Sequence, residues 1–292
     1  MHTINNNRLG ISVKESGAEL CRIFSTTTGK EFMWDGNPEV WGSFAPVLFP
    51  IVGGLRENTY YYEGQQFELP RHGIVRNNSK VQLTGKTEDR LSFTLSYDEE
   101  SLEVYPFRFE LTISFILNEN EITVHHKVMN LGTEEMLFSI GSHPAFCCPR
   151  GPEETYEDYY LEFEQEETVS RWLINEGGLQ TGVTEDVLKD TRILPLTHAL
   201  FLRDALIFKD LKSKTVALKS RKSKEVVSFS YKEFPYLGIW AKPEGDYICI
   251  EPWLGVADHE DSNQDLKNKE GILGLEVGET FEVSYLIDIL EG

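Results

Sequence analysis

Apolar and polar residues alternate with a period of two along most of this chain. In Leu91-Ser92-Phe93-Thr94-Leu95-Ser96-Tyr97 every second residue is apolar, and the run from Phe107 to Phe115 keeps the pattern for longer. Ile122-Thr123-Val124, Val226-Val227-Ser228-Phe229-Ser230-Tyr231 and the series Phe281, Val283, Tyr285, Ile287 and Ile289 continue it. Successive side chains of a strand point to opposite faces, so this alternation predicts strands with one buried face. Turn signals separate the runs: Asp35-Gly36-Asn37-Pro38, Glu63-Gly64, Asn118-Glu119-Asn120 and Pro243-Glu244-Gly245-Asp246. Helical periodicity is scarce; residues 185–188 and 266–270 are the candidates for short helical turns. Many short strands at hairpin spacing predict an all-β fold, an antiparallel sandwich or barrel. No fixed-period repeat and no Pro/Gly/Ser-rich linker divides the chain, so one domain over residues 1–292 is expected.

Composition adds limits. The chain has 292 residues, of which 40% are hydrophobic, enough for a large core without disulfide or metal staples. Lys and Arg number 28 against 48 Asp and Glu, a formal charge of -20. A surface that acidic repels phosphate backbones and anionic membranes, so neither nucleic acid nor a membrane is an expected partner. No basic segment followed by an apolar run opens the chain, and no stretch reaches the roughly 18 to 20 apolar residues that span a bilayer. Cys21, Cys147, Cys148 and Cys249 show no CxxC spacing. They read as buried thiols in a reducing compartment, which makes the expected location cytoplasmic.

Two acidic stretches need a reading. Residues 153–167 interleave carboxylates with Tyr156, Tyr159, Tyr160, Leu161 and Phe163, and are expected to be a solvated strand edge. Residues 258–265 resemble a calcium loop at first sight. In a frame starting at Asp258, however, Asn263 takes the glycine position and Lys269 the bidentate Glu position. A frame starting at Asp261 puts Leu266 and Ile272 there, so the calcium reading fails in both.

The chain lacks a GxSxG elbow, a GxxxxGK[ST] loop, an HExxH helix and a GxGxxG fingerprint. Candidate chemistry therefore rests on histidines and carboxylates in unusual settings. His125 and His126 are strand neighbours on opposite faces and cannot act together. His72 sits between Pro70 and Gly73 in Leu69-Pro70-Arg71-His72-Gly73-Ile74-Val75-Arg76, where the backbone is held out of any ladder. His143 ends an apolar strand and precedes Pro144. Glu251 also ends an apolar strand, Ile248-Cys249-Ile250, where a charge is costly to bury without a purpose. Trp253 beside it suits sugar binding, because an aromatic face stacks on the apolar face of a pyranose.

Three motifs now stand in order: Leu-Pro-x-His-Gly-x-x-Arg ending at Arg76, Gly-x-His-Pro-x-Phe ending at Phe146, and a hydrophobic run into Glu251-Pro252-Trp253. In these the chain resembles the aldose 1-epimerase (galactose mutarotase-like) family, and within it the LacX-like bacterial branch. The resemblance runs from about Ile4 to Asp288. It implies a single large antiparallel β-sandwich with a sugar in a cleft across one sheet. It implies ring opening and reclosure of an aldohexose, with Glu251 as base on the C1 hydroxyl, His143 as acid on the ring oxygen and His72 positioning the sugar. It places Asp204 where the family has a hydroxyl-binding aspartate. Galactose mutarotases carry a substrate-binding arginine in a Gly-Arg-Ile stretch; here Gly54 stands at that position, and Arg56, two residues on, is the expected substitute if the segment is a strand.

Arg76, with Arg56 and Arg71, offers charge for a phosphate, so a hexose-6-phosphate 1-epimerase is the alternative enzyme. A non-catalytic carbohydrate-binding or sensing protein on the same fold is the alternative of another class. The partner in every case is a small sugar, free or phosphorylated, with the chain a monomer or homodimer. No cofactor and no metal is implied.

Overall fold

The alternating segments pair into one extended hydrogen-bonded sheet of 15 strands, every pairing within it antiparallel. The computed structural model describes residues 1–290. Strand accounts for 51% of the structure and helix for 8%, so the fold is all-β and antiparallel, as the periodicity predicts. The sheet runs from short strands at Val47–Leu48 and Ile140–Ser142, through Tyr247–Leu254, Tyr236–Trp240 and Leu206–Phe208, to Tyr159–Ile174. It then continues through Thr215–Ser220, Val226–Ser230, Thr280–Leu290, Glu121–Asn130, Phe109–Asn118 and Arg90–Ser96 to Gln82–Lys86. Three smaller sheets complete the fold, the largest formed by His2–Asn5, Leu9–Lys14 and Glu19–Ser25.

The inward sides of these strands merge into one core that contains residues from Ile4 to Ile289. The alternation seen in the sequence is its direct cause. Along Glu121–Asn130 every second residue is buried, including His126, while His125 faces outward. A second, smaller apolar cluster of Leu48, Val52, Ala205, Ile207, Trp253 and Val256 lies apart from the main core. Several of its members form one wall of the cavity described below.

Two expectations change, and one element was not foreseen. Residues 185–188 are not a helical turn; they lie inside the strand Gln180–Pro195, whereas Leu266–Asn268 does form a 3-10 turn. A helix at Glu99–Val104 gave no periodic signal because it is one short element. Its start is fixed by a capping box in which Asp98 accepts from the Ser101 amide at 2.8 Å and the Ser101 hydroxyl accepts from the Asp98 amide. The acidic stretch at 153–167 is not a sheet edge. Tyr159–Ile174 pairs with Gln180–Pro195 on one side and with Thr215–Ser220 and Leu206–Phe208 on the other. Two of its carboxylates are taken up by neighbours, Glu162 pairing with Lys219 and buried Glu167 accepting from the Ser213 amide at 2.7 Å, while Glu153, Glu157, Glu164 and Glu166 stay exposed.

Candidate active site

Glu251 and His143 meet because of one interrupted ladder. Ile140–Ser142 pairs with Tyr247–Leu254 with Gly141 opposite Trp253. Ala145–Cys147 resumes that same register with Ala145 opposite Cys249. Between the two pairings the register sets His143 opposite Glu251. Pro144 has no amide to donate there, so the ladder opens at this point, and its carbonyl still accepts from the Ile250 amide at 3.1 Å. His143 Nε2 lies 3.2 Å from Glu251 Oε2, with the side chains 11% and 2% exposed.

His72 is set by backbone geometry. It has a φ of 70° and Gly73 a φ of 77°, both in the left-handed region. At Gly73 any side chain is excluded, since a Cβ would lie 2.2 Å from the Phe49 carbonyl oxygen. The His72 amide donates to the Gly53 carbonyl at 2.9 Å, and the Gly53 amide donates to His72 Nδ1 at 3.2 Å. With Nδ1 accepting, a neutral ring carries its proton on Nε2. Burial, aided by the nearby His143, Arg71 and Arg76, holds the His72 pKa well below its usual value, so the ring is neutral at pH 7.

These three residues share a cavity of about 180 Å³ with Asp204, Arg71, Arg76, Trp41, Trp240 and Trp253. Trp41 stacks on the His143 ring with centroids 4.9 Å apart, and Trp240 meets it edge-on at 5.5 Å. His143 Nδ1 and Trp253 Nε1 are buried without a hydrogen-bond partner, and Glu251 Oε2 has none beyond its 3.2 Å approach to His143 Nε2. Unmet polar atoms are costly in a core but suited to a site that completes its hydrogen bonds with a ligand. Burial acts on both members of the central pair. It pushes the Glu251 carboxyl well above the usual range, with Asp204 adding in the same direction, and lowers His143 to about 3. Both shifts disfavour charge, so the pair holds one proton over a wide pH range.

Asp204, at a φ of 65°, accepts from the amide of Ala205 at 2.7 Å and lines the cavity. Arg76 lines it too, donating to the Ser43 hydroxyl at 2.9 Å. Arg56 does not. Gly53 turns the chain at a φ of 74°, packed so closely that a Cβ would meet Ala257 at 2.6 Å, and Arg56 begins a 3-10 turn at Arg56–Asn58. The expectation that Arg56 shares a strand face with Gly54 is therefore corrected. Its amide donates to Asp258 Oδ2 at 3.0 Å and its Nη1 to the Ser262 carbonyl at 2.9 Å. Arg71 occupies the cavity wall instead, across Gly178, where a Cβ would fall 1.7 Å from Nη2. Trp41 and Trp240 were not foreseen as site residues, since a lone Trp in a loop or at a strand end reads equally well as core.

One cavity on this antiparallel sheet thus holds a buried His–Glu pair and a second, neutral histidine. The chain belongs to the aldose 1-epimerase family, whose profile matches residues 1–265. It is 33% identical to two forms of Protein LacX of Lactococcus lactis subsp. lactis, one plasmid and one chromosomal, with 98% of each chain covered. Among solved structures it superposes on a galactose mutarotase related enzyme from Lactobacillus acidophilus with a TM-score of 0.94 and 34% identity, covering 99% of this chain and 97% of that one. A galactose mutarotase-like protein from Lactobacillus casei gives a TM-score of 0.92 at 26% identity, with coverage of 99% and 100%. Among the described residues no helix is long and apolar enough to cross a membrane.

Proposed function

We propose that this chain is a single-domain aldose 1-epimerase that interconverts the α and β anomers of an aldohexose, with Glu251, His143 and His72 as its catalytic residues. The observation that carries the reading is the 3.2 Å approach of His143 Nε2 to Glu251 Oε2 in a cavity that also holds His72. In the reactive tautomer Glu251 is a carboxylate and His143 an imidazolium. Glu251 takes the proton of the C1 hydroxyl as His143 gives one to the ring oxygen, and the C1–O bond to the ring breaks. Rotation about C1–C2 presents the other face of the aldehyde. Closure then reverses both transfers, with the ring-forming hydroxyl returning its proton to His143 and Glu251 protonating the carbonyl oxygen.

The pair carries one proton before and after each step and no net charge at any point. That is the proton inventory a desolvated site tolerates best. His72 with its Nε2 proton is a hydrogen-bond donor to the sugar, and Asp204 an acceptor from its hydroxyls. The tryptophans supply faces for the C–H side of the ring. Four free thiols fit the cytoplasm as the location.

Polarimetry of freshly dissolved α-glucose and α-galactose tests the reading. Glu251→Gln and His143→Asn should each lose about 100- to 10,000-fold in rate, the usual worth of a positioned acid or base. Equal rates in all three proteins remove the enzyme reading, and sugar binding without turnover would leave a carbohydrate sensor.

One observation favours a phosphorylated hexose as the substrate. The arginine ion pairs of the structure belong to Arg22, Arg56, Arg171, Arg192 and Arg203. Arg71 and Arg76 pair with no carboxylate among the described residues, in a chain with 48 of them, and both line the cavity. A hexose-6-phosphate 1-epimerase should turn over glucose 6-phosphate in preference to glucose, and Arg71→Ala with Arg76→Ala should remove the preference.

A further inference from the structure

Glu251 shares its side of the Tyr247–Leu254 strand with Cys249, two residues back. Cys249 uses no part of its chemistry in the sugar reaction, and its thiol is fully buried. One ligand atom each from His143, Cys249 and Glu251 lies within 4.8 Å of the other two. We infer that these three side chains form a binding site for a zinc-class divalent cation, and that the ion, once bound, blocks the sugar reaction.

The donor set and spacing carry this. Imidazole, thiolate and carboxylate together suit zinc and its neighbours, whereas magnesium and calcium select all-oxygen sites. Zinc bonds of about 2.0–2.3 Å in a tetrahedron place ligand atoms roughly 3.3–3.8 Å apart. The His143–Glu251 contact of 3.2 Å is already near that spacing. The second observation is the buried Glu251 Oε2 itself, which has no hydrogen-bond partner beyond that approach to His143. Three protein ligands leave a fourth tetrahedral position towards the cavity, for a water or a sugar hydroxyl. The ion takes the lone pairs that the base and acid need. Binding displaces the Cys249 thiol proton and the proton shared by His143 and Glu251, both of which pass to solvent, so affinity rises with pH.

The binding claim is independent of the mutarotase reading; the inhibition claim rests on it. The full chain, freed of metal with a chelator, is titrated with Co²⁺ and followed by absorption. A thiolate-to-cobalt charge-transfer band with tetrahedral intensity in the visible is expected, bleached by Zn²⁺. Cys249→Ala and Cys249→Ser should both lack the band. In polarimetry Zn²⁺ should slow the wild type at least about 10-fold, reversibly on adding chelator, while Mg²⁺ has no effect. Either Cys249 variant should keep its activity and need about 10- to 100-fold more Zn²⁺ for the same loss, the usual cost of disturbing a metal site. No sulfur-to-cobalt band in the wild type, or an unchanged band in both variants, overturns the site. A band in a protein without mutarotation would keep the site and overturn the proposed function.

Discussion

The charge state of two side chains decides what the site can do. His143 is lowered to about 3 and Glu251 is raised well above the carboxylate range, each chiefly by burial. A second proton enters the pair only in acid, where Glu251 can no longer act as base. The single proton leaves only in alkali, where His143 can no longer act as acid. The pH dependence of kcat/KM should therefore be bell-shaped, with an acid limb well below an ordinary histidine pKa near 6.5 and an alkaline limb above an ordinary glutamate near 4.3. A sugar-concentration series from pH 3 to about 10 measures it. An acid limb centred on 6.5 would mean that His143 titrates as a free histidine, and the one-proton account would fail. Buried Lys269, whose Nζ donates to Asp258 Oδ1 and to the Val256 carbonyl, both at 2.8 Å, belongs to the support rather than the chemistry. Asp258 also receives the Arg56 amide, tying the Gly53 turn to the cavity wall. Lys269→Met strands the Asp258 charge and should cost about 3–5 kcal/mol in urea unfolding, with the activity of the folded fraction largely kept.

At the scale of elements, the strands that carry Glu251 and His143 were legible and the turns between them were less so. Alternation marks a strand because burial repeats every two residues, and that signal is local. Where Arg56 goes depends on a single positive φ at Gly53 and on the approach of Ala257 from far along the chain, neither of which has a period. The acidic run around Glu162 and Glu167 looked like an edge because its partners, Lys219 and the Ser213 amide, lie some fifty residues away in sequence. The three motifs supplied His72, His143 and Glu251, but the stacking of Trp41 on His143 depends on how residues 35–44 fold across the sheet. Gly73 shows how strictly a turn is set. Gly73→Ala puts a Cβ against the Phe49 carbonyl at a positive φ, so it should destabilise the fold by more than about 1 kcal/mol. It should also lower the affinity for sugar, because His72 moves with it. Urea midpoints and sugar titrations test both effects, and an unchanged affinity would detach His72 from the site.

The whole molecule adds a field that no single residue carries. With 20 excess negative charges, the protein as a whole repels an anionic sugar, while Arg71 and Arg76 attract it at the cavity. The two effects have different reach. Screening lengths fall from about 30 Å at 0.01 M salt to about 8 Å at 0.15 M, so added salt removes the distant repulsion first and leaves the contact between arginine and phosphate comparatively intact. If glucose 6-phosphate is the substrate, its kcat/KM should rise over that range while that of neutral glucose stays flat. In Arg71→Ala/Arg76→Ala the salt-dependent rise should persist from a lower starting value, because the repulsion belongs to the surface and the attraction to the pocket. A steady fall with salt in the wild type would show that the arginines govern the approach as well as the contact. A flat response for both sugars, with equal rates, would assign the pocket to neutral hexoses and leave the unpaired arginines as donors to ordinary hydroxyls.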